Sequence, residues 1–171
     1  MTNRRAFLRG ASVLMGHAAL GQVLTAFAAV PRKATYFNES EMSSLAVLVD
    51  LILPATDSPA ASAADTHYFI DLALPACASP QAQQTFRAGL AAFAGIAGQG
   101  AAQQIAALKA QAAKDMAAEY DDSFFKILKD YTLTGYFLSE VGATQALAYE
   151  RVPGGFWGDL PLKPGQKAWA I

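Results

Sequence analysis

The segment NESEMSSLAVLVDLILP, residues 38–54, contains a complete helix together with its start and stop signals. Asn38, followed three residues later by Glu41, is typical of an N-cap with a capping box. The apolar residues behind them recur at spacings of three and four, which places them on one helical face. They are Met42, Leu45, Ala46, Val49, Ile52 and Leu53. Because Pro54 disfavours continuation, we predict that the helix ends there.

The next stretch repeats this pattern of short apolar helices separated by proline. A second helix is predicted from about Ser62 to Leu74, and Pro75 is expected to end it. Ser79 and Pro80 then predict an N-cap with proline at the first helical position. The apolar stripe of this third helix consists of Phe86, Leu90 and Phe93. Three helices are therefore predicted before the glycines at 98–100.

Two further helices are predicted after residues 98–100. The first is rich in alanine and glutamine, and its apolar residues are Ile105, Leu108 and Ala112. The second begins at Asp122-Ser123, and its apolar face is predicted to hold Phe124, Ile127, Leu128, Tyr131, Thr134 and Leu138. Gly142 lies near its end, and a short helix is expected to continue through Leu147. No stretch shows sustained alternation of apolar and polar residues, so we predict an all-α protein, a small orthogonal helical bundle.

The C-terminal residues 150–171 differ in kind from the helical part. Proline and glycine interrupt helix formation at nearly every step, and both tryptophans of the chain, Trp157 and Trp169, lie here beside Phe156. We expect an irregular tail rich in aromatic residues, proline and glycine. Such a tail needs a surface to lie on, which is either its own bundle or another chain.

The first 28 residues read as an export signal preceding a single domain, residues 29–171. A cationic start is followed by a weakly apolar stretch and a small-x-small cleavage site. Paired arginines followed by Phe-Leu resemble the twin-arginine signal, which a receptor reads. The targeting residues are Arg4, Arg5, Phe7, Leu8, Ala26 and Ala28. We expect a periplasmic protein; the alternatives are an ordinary export signal with a chance arginine pair and an uncleaved anchor.

Composition and charge exclude several classes of protein. The 171 residues include 14 acidic and 13 basic side chains, for a formal net charge of −1, and 53% are hydrophobic. The balanced charge excludes a nucleic-acid binder that neutralises phosphates, and the apolar content excludes a disordered chain. A single cysteine, Cys77, excludes an internal disulfide framework and a four-thiolate zinc site.

No set of residues in the sequence has the pattern of a catalytic or metal site. His67 is the only histidine after the signal; its spacing to Asp65 and Asp71 suggests a helix-face pair, but a capped or surface histidine is the commoner outcome. Glu140 follows aromatic residues and is expected to be buried and paired. We therefore assign no catalytic, metal or cofactor-binding residue and favour a binding or accessory subunit over an enzyme.

Two segments then carry a specific resemblance. The first is LPATDSP, residues 53–59, with Phe-Ile-Asp at 69–71; the second is GYFLSEVGAT, residues 135–144, which continues through 149–154. Together with the paired arginines they resemble the gluconate 2-dehydrogenase subunit 3 family over about residues 36–170. Leu138 stands where a hydroxyl-bearing residue is expected in the family pattern, which weakens any polar role there.

The resemblance implies an accessory role. Proteins of this family are small subunits of flavin-dependent sugar and sugar-acid dehydrogenases, whose large subunit is an FAD-binding flavoprotein of the glucose–methanol–choline type. A cytochrome c subunit, with haem c, often takes the electrons. The small subunit resembles an escort that binds the folded large subunit and carries it through the twin-arginine translocase. The resemblance also implies that the protein is periplasmic and is held near the inner membrane through its partners.

An escort requires a large and stable interface, which is usually centred on aromatic anchors. On that basis the aromatic candidates for partner binding are Tyr136, Phe137, Tyr149, Phe156, Trp157 and Trp169. Pro54 and Asp57, in a loop between two prolines, form a second candidate patch, and Glu140 accompanies the aromatic run. For each aromatic residue, packing inside its own domain is an equally open alternative.

Two other function classes remain open on the residues alone. The chain could be a stand-alone exported helical domain that binds a small ligand such as a sugar. It could also be a small hydrolase that uses Asp and Glu carboxylates, although the sequence places no base beside a nucleophile.

Overall fold

The computed structural model describes residues 33–117, 123–152, 154–155, 161 and 163–170, which belong to one compact unit, Arg32–Ile171. Five α-helices are present among these residues: α1, Glu39–Ile52; α2, Thr66–Cys77; α3, Pro80–Ala91; α4, Ala101–Ala117; and α5, Phe124–Leu138. Short 3₁₀ turns occur at Ala61–Ala64 and Ile96–Gly98, and a π-helical turn at Gly142–Ala146. The described residues form no strand, which confirms the prediction of a small all-α bundle.

Three helices, α1, α3 and α5, begin where their capping residues predict. The Asn38 side chain accepts a hydrogen bond from the Glu41 N–H, and the Asn38 N–H donates to the Glu41 carboxylate, each at 2.9 Å. Ser79 caps α3 and Ser123 caps α5 in the same way. Each cap satisfies an N–H that has no partner inside its helix, so short local motifs are sufficient to set these starts.

The second helix departs from the prediction at both ends. Ala61–Ala64 form a separate 3₁₀ turn, because Asp65 adopts a left-handed backbone conformation with φ of 55° before α2 begins. At the other end α2 runs through Pro75 to Cys77. The proline removes one backbone hydrogen bond, but the Ala78 N–H still donates to the Leu74 carbonyl at 3.0 Å. Pro75 therefore lies in the last turn and does not end the helix.

The core is built around α5, which packs against the other four helices. Its central aliphatic and aromatic residues are fully or nearly fully buried; the largest include Phe86, Leu45, Leu48, Ile70, Leu74, Leu90, Leu128 and Tyr136. Two glycines allow close approach of aromatic rings. A Cβ atom at Gly89 would overlap the Phe124 ring, and one at Gly135 would overlap the Phe69 ring. These rings pack directly on helix backbone.

The buried face of α5 differs from the face that its apolar residues predict. Thr134 and Leu138 are exposed, whereas Thr132 is buried. The Thr132 hydroxyl donates to the Leu128 carbonyl of its own helix at 2.7 Å, so this polar side chain enters the core without losing a hydrogen bond. Ile105 of α4 is likewise 44% exposed, because α4 buries only Leu108 and Asp115. The pattern of apolar residues alone therefore predicted the wrong buried residues on parts of α4 and α5.

The described part of the tail is irregular, as expected, and contacts the bundle at one point. The Ala148 N–H donates to the Ala168 carbonyl and the Ala170 N–H donates to the Ala148 carbonyl, at 2.8 and 2.9 Å. The Lys167 ammonium donates to the Gln145 carbonyl at 2.5 Å. At this point the tail lies on its own bundle, the first of the two surfaces considered.

None of the helices in the described ranges is both long enough and apolar enough to cross a membrane. The predicted targeting residues Arg4, Arg5, Phe7, Leu8, Ala26 and Ala28 lie outside the described residues, as do Phe156 and Trp157.

Candidate docking surface

His67, the histidine with catalytic potential, sits in an apolar setting. It lies in the first turn of α2, half-buried, with its ring centroid 4.4 Å from that of Tyr68. Its Nδ1 is buried and has no hydrogen-bond partner among the described residues. Burial lowers the pKa of His67, and the nearby carboxylates of Asp65 and Asp50 only partly oppose that effect. The lowered pKa favours the neutral imidazole, and its Nδ1 has no carboxylate partner among the described residues.

Asp71, its expected partner, is instead a structural anchor. Its buried carboxylate accepts hydrogen bonds from the Thr35 N–H and hydroxyl and from the N–H groups of Tyr36 and Phe37, at 2.7–2.9 Å. Although burial alone would raise its pKa, these hydrogen bonds to backbone and hydroxyl outweigh that effect and hold the pKa of Asp71 below its usual value. The carboxylate thus joins the segment before α1 to α2.

Two further aspartates act in the same way, and sequence reasoning passed over both. Asp50 of α1 accepts hydrogen bonds from the N–H and hydroxyl of Ser62, both at 2.7 Å. Asp115 of α4 accepts one from the Phe125 N–H at the start of α5, at 2.8 Å. Their partners lie ten or twelve residues away, beyond the reach of a local capping motif. The only available signal was an acidic residue within an otherwise apolar helix face.

The described residues contain no group of three or more histidine, cysteine or acidic side chains placed to hold a metal ion. Cys77 is exposed. Glu140 is also exposed, so the expectation that it is buried and paired was wrong. It lies beyond the end of α5, just before the π-helical turn, where the backbone leaves the bundle. The remaining sequence candidates are surface residues, which are described next.

Tyr136 belongs to the core and is removed from the docking candidates. Only 2% of the residue is exposed, and its hydroxyl donates to the Pro59 carbonyl at 2.8 Å. This is the intramolecular alternative that the sequence left open. The ring fills the interior while the hydroxyl meets a backbone acceptor, as a buried tyrosine requires. Tyr136 thereby ties the loop that contains Pro54 and Asp57 to α5; both of those residues are exposed.

Two of the other candidates, Phe137 and Trp169, meet at the end of α5. There the bundle and the tail form an open apolar depression of about 370 Å³. We call its lining the apolar patch; it consists of Phe137, Leu138, Leu147, Ala168 and Trp169. Leu138 is 54% and Trp169 59% exposed, whereas Phe137 is half-buried. The structure thus brings Phe137 and Trp169 together, although 32 positions of sequence separate them.

The tail bridge creates the apolar patch. Pairing of Ala148 with Trp169 places the tail beside the residues that follow α5. Tyr149, next to the bridge, is 57% exposed, and Val152 is 77% exposed. Leu138, Leu147 and Ala168 were not predicted as docking residues. The signal for Leu138 was its apolar character at a position where the resemblance implies a hydroxyl-bearing residue. Leu147 and Ala168 become neighbours of the other patch residues only through the bridge.

Comparison with known families identifies the chain. A sequence model described as Gluconate 2-dehydrogenase subunit 3 matches residues 39–154. The chain belongs to this family. The match runs from the first residue of α1 into the tail and confirms the resemblance drawn from the two segments. Comparison with curated proteins and with solved structures finds no match.

Membership of the subunit 3 family makes this chain an accessory subunit of a dehydrogenase complex. A subunit must contact other chains of its complex. The apolar patch offers exposed tryptophan and leucine side chains for such a contact, which are costly to leave in water.

Proposed function

We propose that this chain is the non-catalytic small subunit of a periplasmic, flavin-dependent dehydrogenase that acts on a sugar or a sugar acid. Its twin-arginine signal carries the folded large subunit across the inner membrane, and the small subunit then remains bound. The large subunit is a glucose–methanol–choline type flavoprotein that holds FAD. A cytochrome c subunit with haem c receives the electrons, and the complex stays at the periplasmic face of the inner membrane.

The apolar patch is the observation that supports this proposal most directly. Protein interfaces concentrate their binding energy in a few side chains that partner chains bury, and tryptophan is among the most enriched of these. Trp169 and Leu138 flank one depression, and no charged side chain is among its lining residues. We assign the centre of the interface to these residues, with Phe137 at its base and Tyr149 at its rim.

The aspartates give independent support for a non-catalytic role. Asp50, Asp71 and Asp115 each accept two or more hydrogen bonds that hold the bundle together. For Asp71 these hydrogen bonds also lower the pKa, which makes its carboxylate a poor general base. These three carboxylates serve the fold, which supports our proposal that oxidation takes place on the partner chain.

Export is tested by co-expressing the chain with its flavoprotein partner and measuring dehydrogenase activity in the periplasm and the cytoplasm. We expect the R4K/R5K variant to leave the activity in the cytoplasm, and deletion of this chain to do the same. Arg9→Lys is the matched control, because it changes a third arginine of the signal outside the pair and should export normally. Full periplasmic activity without this chain would reject the escort role.

Docking is tested separately by co-purification of the two subunits. Leu138→Glu and Trp169→Ala should each lower the recovery of the flavoprotein at least tenfold, in line with the effect of truncating an interface anchor. Met116→Glu is the control, because Met116 is a comparably exposed apolar side chain, 69% exposed, that does not line the apolar patch. Equal recovery with all three variants would exclude the patch as the interface.

A stand-alone sugar-binding domain is the second candidate function. One observation favours it: an open groove of about 630 Å³ at the start of α1 brings Tyr68 together with polar Asn38, Glu39 and Ser43. An aromatic ring beside hydrogen-bonding groups suits a sugar. This function predicts a monomer whose melting temperature rises with one member of a sugar panel. Unchanged melting across the panel would exclude it.

A further inference from the structure

A second depression lies on the bundle between α1, α4 and α5. Its volume is about 270 Å³, and its floor is apolar. We call it the lysine-flanked groove; it is lined by Leu51, Ile52, Ile105, Leu108, Lys109, Ala112, Phe125 and Lys129. Ile105 is 44% exposed within it, although it belongs to the apolar stripe of α4. The groove shares no lining residue with the apolar patch.

The charge of this groove distinguishes it from the apolar patch. Lys109 comes from α4 and Lys129 from α5, so each of the two helices contributes one exposed ammonium group to the lining. Within residues 33–117 and 123–152 neither lysine forms an ion pair. By contrast, Lys126 of α5 pairs with Asp130 at 2.6 Å. The groove therefore combines an apolar floor with two cations that have no carboxylate partner in the part of the chain that the structure describes.

The size of the groove favours side chains of a protein over a free ligand. Pockets that enclose a drug-sized molecule have volumes of roughly 300–1,000 Å³ and are more closed than this one. An open depression of about 270 Å³ accommodates a few aliphatic side chains presented by a helix. Complementary charges across such a contact orient the helix and raise the rate of association.

We propose that the lysine-flanked groove is a docking site for an amphipathic helix of a partner polypeptide, whose apolar stripe has a carboxylate on each side. The aliphatic side chains of that helix occupy the floor beside Ile105 and Leu108. Its two carboxylates bind Lys109 and Lys129. This goes beyond the proposed function, because it gives the subunit a second contact surface in addition to the apolar patch.

The test uses the purified full chain and two synthetic helical peptides of equal length with the same leucine stripe. One peptide has glutamate on both sides of the stripe and the other has lysine. In low salt we expect the glutamate peptide to bind at least about tenfold more tightly, measured by fluorescence anisotropy. The difference should shrink as salt is added, because the charges are exposed.

Three variants connect the result to the groove. K109E/K129E should reverse the preference between the two peptides, and Ile105→Glu should weaken both. Lys114→Glu is the matched control, since Lys114 is an exposed lysine of the same helix that does not line the groove; it should bind like the unchanged chain. Because all these side chains are exposed, melting temperatures should stay close to that of the unchanged chain.

The outcomes against the proposal are equally specific. Equal affinity for the two peptides, or no measurable binding of either, would overturn it. So would binding to anionic lipid vesicles without binding to the glutamate peptide, or self-association that K109E/K129E abolishes. None of these outcomes affects export or recovery of the flavoprotein, so failure of this proposal is distinguishable from failure of the proposed function.

Discussion

Two irregular segments flank the helical bundle, and they are held in contrasting ways. Residues 35–37 precede α1 and donate four hydrogen bonds to Asp71, and Phe37 is buried. The Arg87 guanidinium packs on the Tyr36 ring at 4.1 Å and donates to the Tyr36 carbonyl. The segment after α5 is held mainly by the bridge between Ala148 and Trp169, which leaves Tyr149 and Val152 exposed.

The comparison shows that lack of regular structure does not decide whether a segment is part of the core or available for binding. The first segment satisfies its backbone N–H groups on a buried carboxylate, so its side chains can enter the interior. The second keeps the apolar side chains of Tyr149, Val152 and Trp169 in water, which becomes favourable once a partner covers them. The first segment thus contributes to the fold, whereas the second presents the surface that we propose for binding.

The largest expected effect on stability comes from changing the carboxylate that holds the first segment, residues 35–37. Asp71→Ala leaves a hydroxyl and three backbone N–H groups without their acceptor, so we expect a loss of about 3 kcal/mol in the free energy of unfolding. Asp71→Asn keeps the shape and one acceptor oxygen and should lose about half as much. Urea denaturation measures both, with Asp57→Asn as an exposed control within about 0.5 kcal/mol of the unchanged chain.

The pH dependence of stability follows from the same carboxylate. The folded state lowers the pKa of Asp71 below its unfolded value of about 4, so its contribution is complete above that pH and is lost as the pH falls through the folded pKa. Acidification from about pH 4 should therefore destabilise the unchanged chain more than Asp71→Asn. Parallel pH profiles for the two proteins would contradict this role.

A smaller effect is expected where α5 meets α2. Gly135→Ala forces a Cβ atom against the Phe69 ring, and overpacking of this kind costs about 2 kcal/mol. Gly98→Ala is the control, because nothing lies within 4 Å of an added Cβ there and its φ is not positive; it should be neutral or slightly stabilising. Thermal melting of the two variants distinguishes a packing cost from a general intolerance of alanine.

Removal of the Tyr136 hydroxyl should have a still smaller effect. Tyr136→Phe loses the hydrogen bond to the Pro59 carbonyl and should lower the free energy of unfolding by about 1 kcal/mol. Hydrogen exchange should rise in the loop of residues 54–59 because its tie to α5 is gone. Tyr149→Phe is the exposed control. Equal free energies of unfolding for Tyr136→Phe and Tyr149→Phe would show that the hydrogen bond to Pro59 contributes nothing to stability.

The smallest effect on stability is expected in the second segment. Trp169→Ala retains the backbone bridge and removes a side chain that is already 59% exposed, so the free energy of unfolding should change by less than about 1 kcal/mol. The same variant is expected to lose the flavoprotein partner. A protein that unfolds when Trp169 is shortened would place this residue in the fold and not in the interface.

Helix starts and the composition of the core were accessible from the sequence. Asn38 with Glu41, Ser79 with Pro80, and Ser123 each act within three residues, so the local pattern contained all the information that their caps require. Phe86, Leu90 and Phe93 are all buried, although Phe93, predicted on the stripe of the third helix, lies beyond the end of α3 at Ala91. Family membership was also accessible, because residues 53–59 and 135–144 lie within the matched region.

The candidate site was only partly predictable. Phe137 and Trp169 were identified as docking residues and do meet at one depression, but Tyr136 proved to be core. Adjacent aromatic residues on a helix point about 100° apart, so one of them can face the interior while the other reaches the surface. Which residue does so depends on the neighbours that the helix packs against, and no pattern within 135–144 specifies those neighbours.

Local chemistry therefore set where α1, α3 and α5 begin and which family the chain belongs to, since caps and motifs act over a few residues. The three-dimensional packing decided how the faces are used: it buried Thr132 and exposed Leu138, and it gave Asp71 its partners. Those outcomes depend on contacts between residues far apart in the chain. The energies of such contacts exist only once the helices have come together.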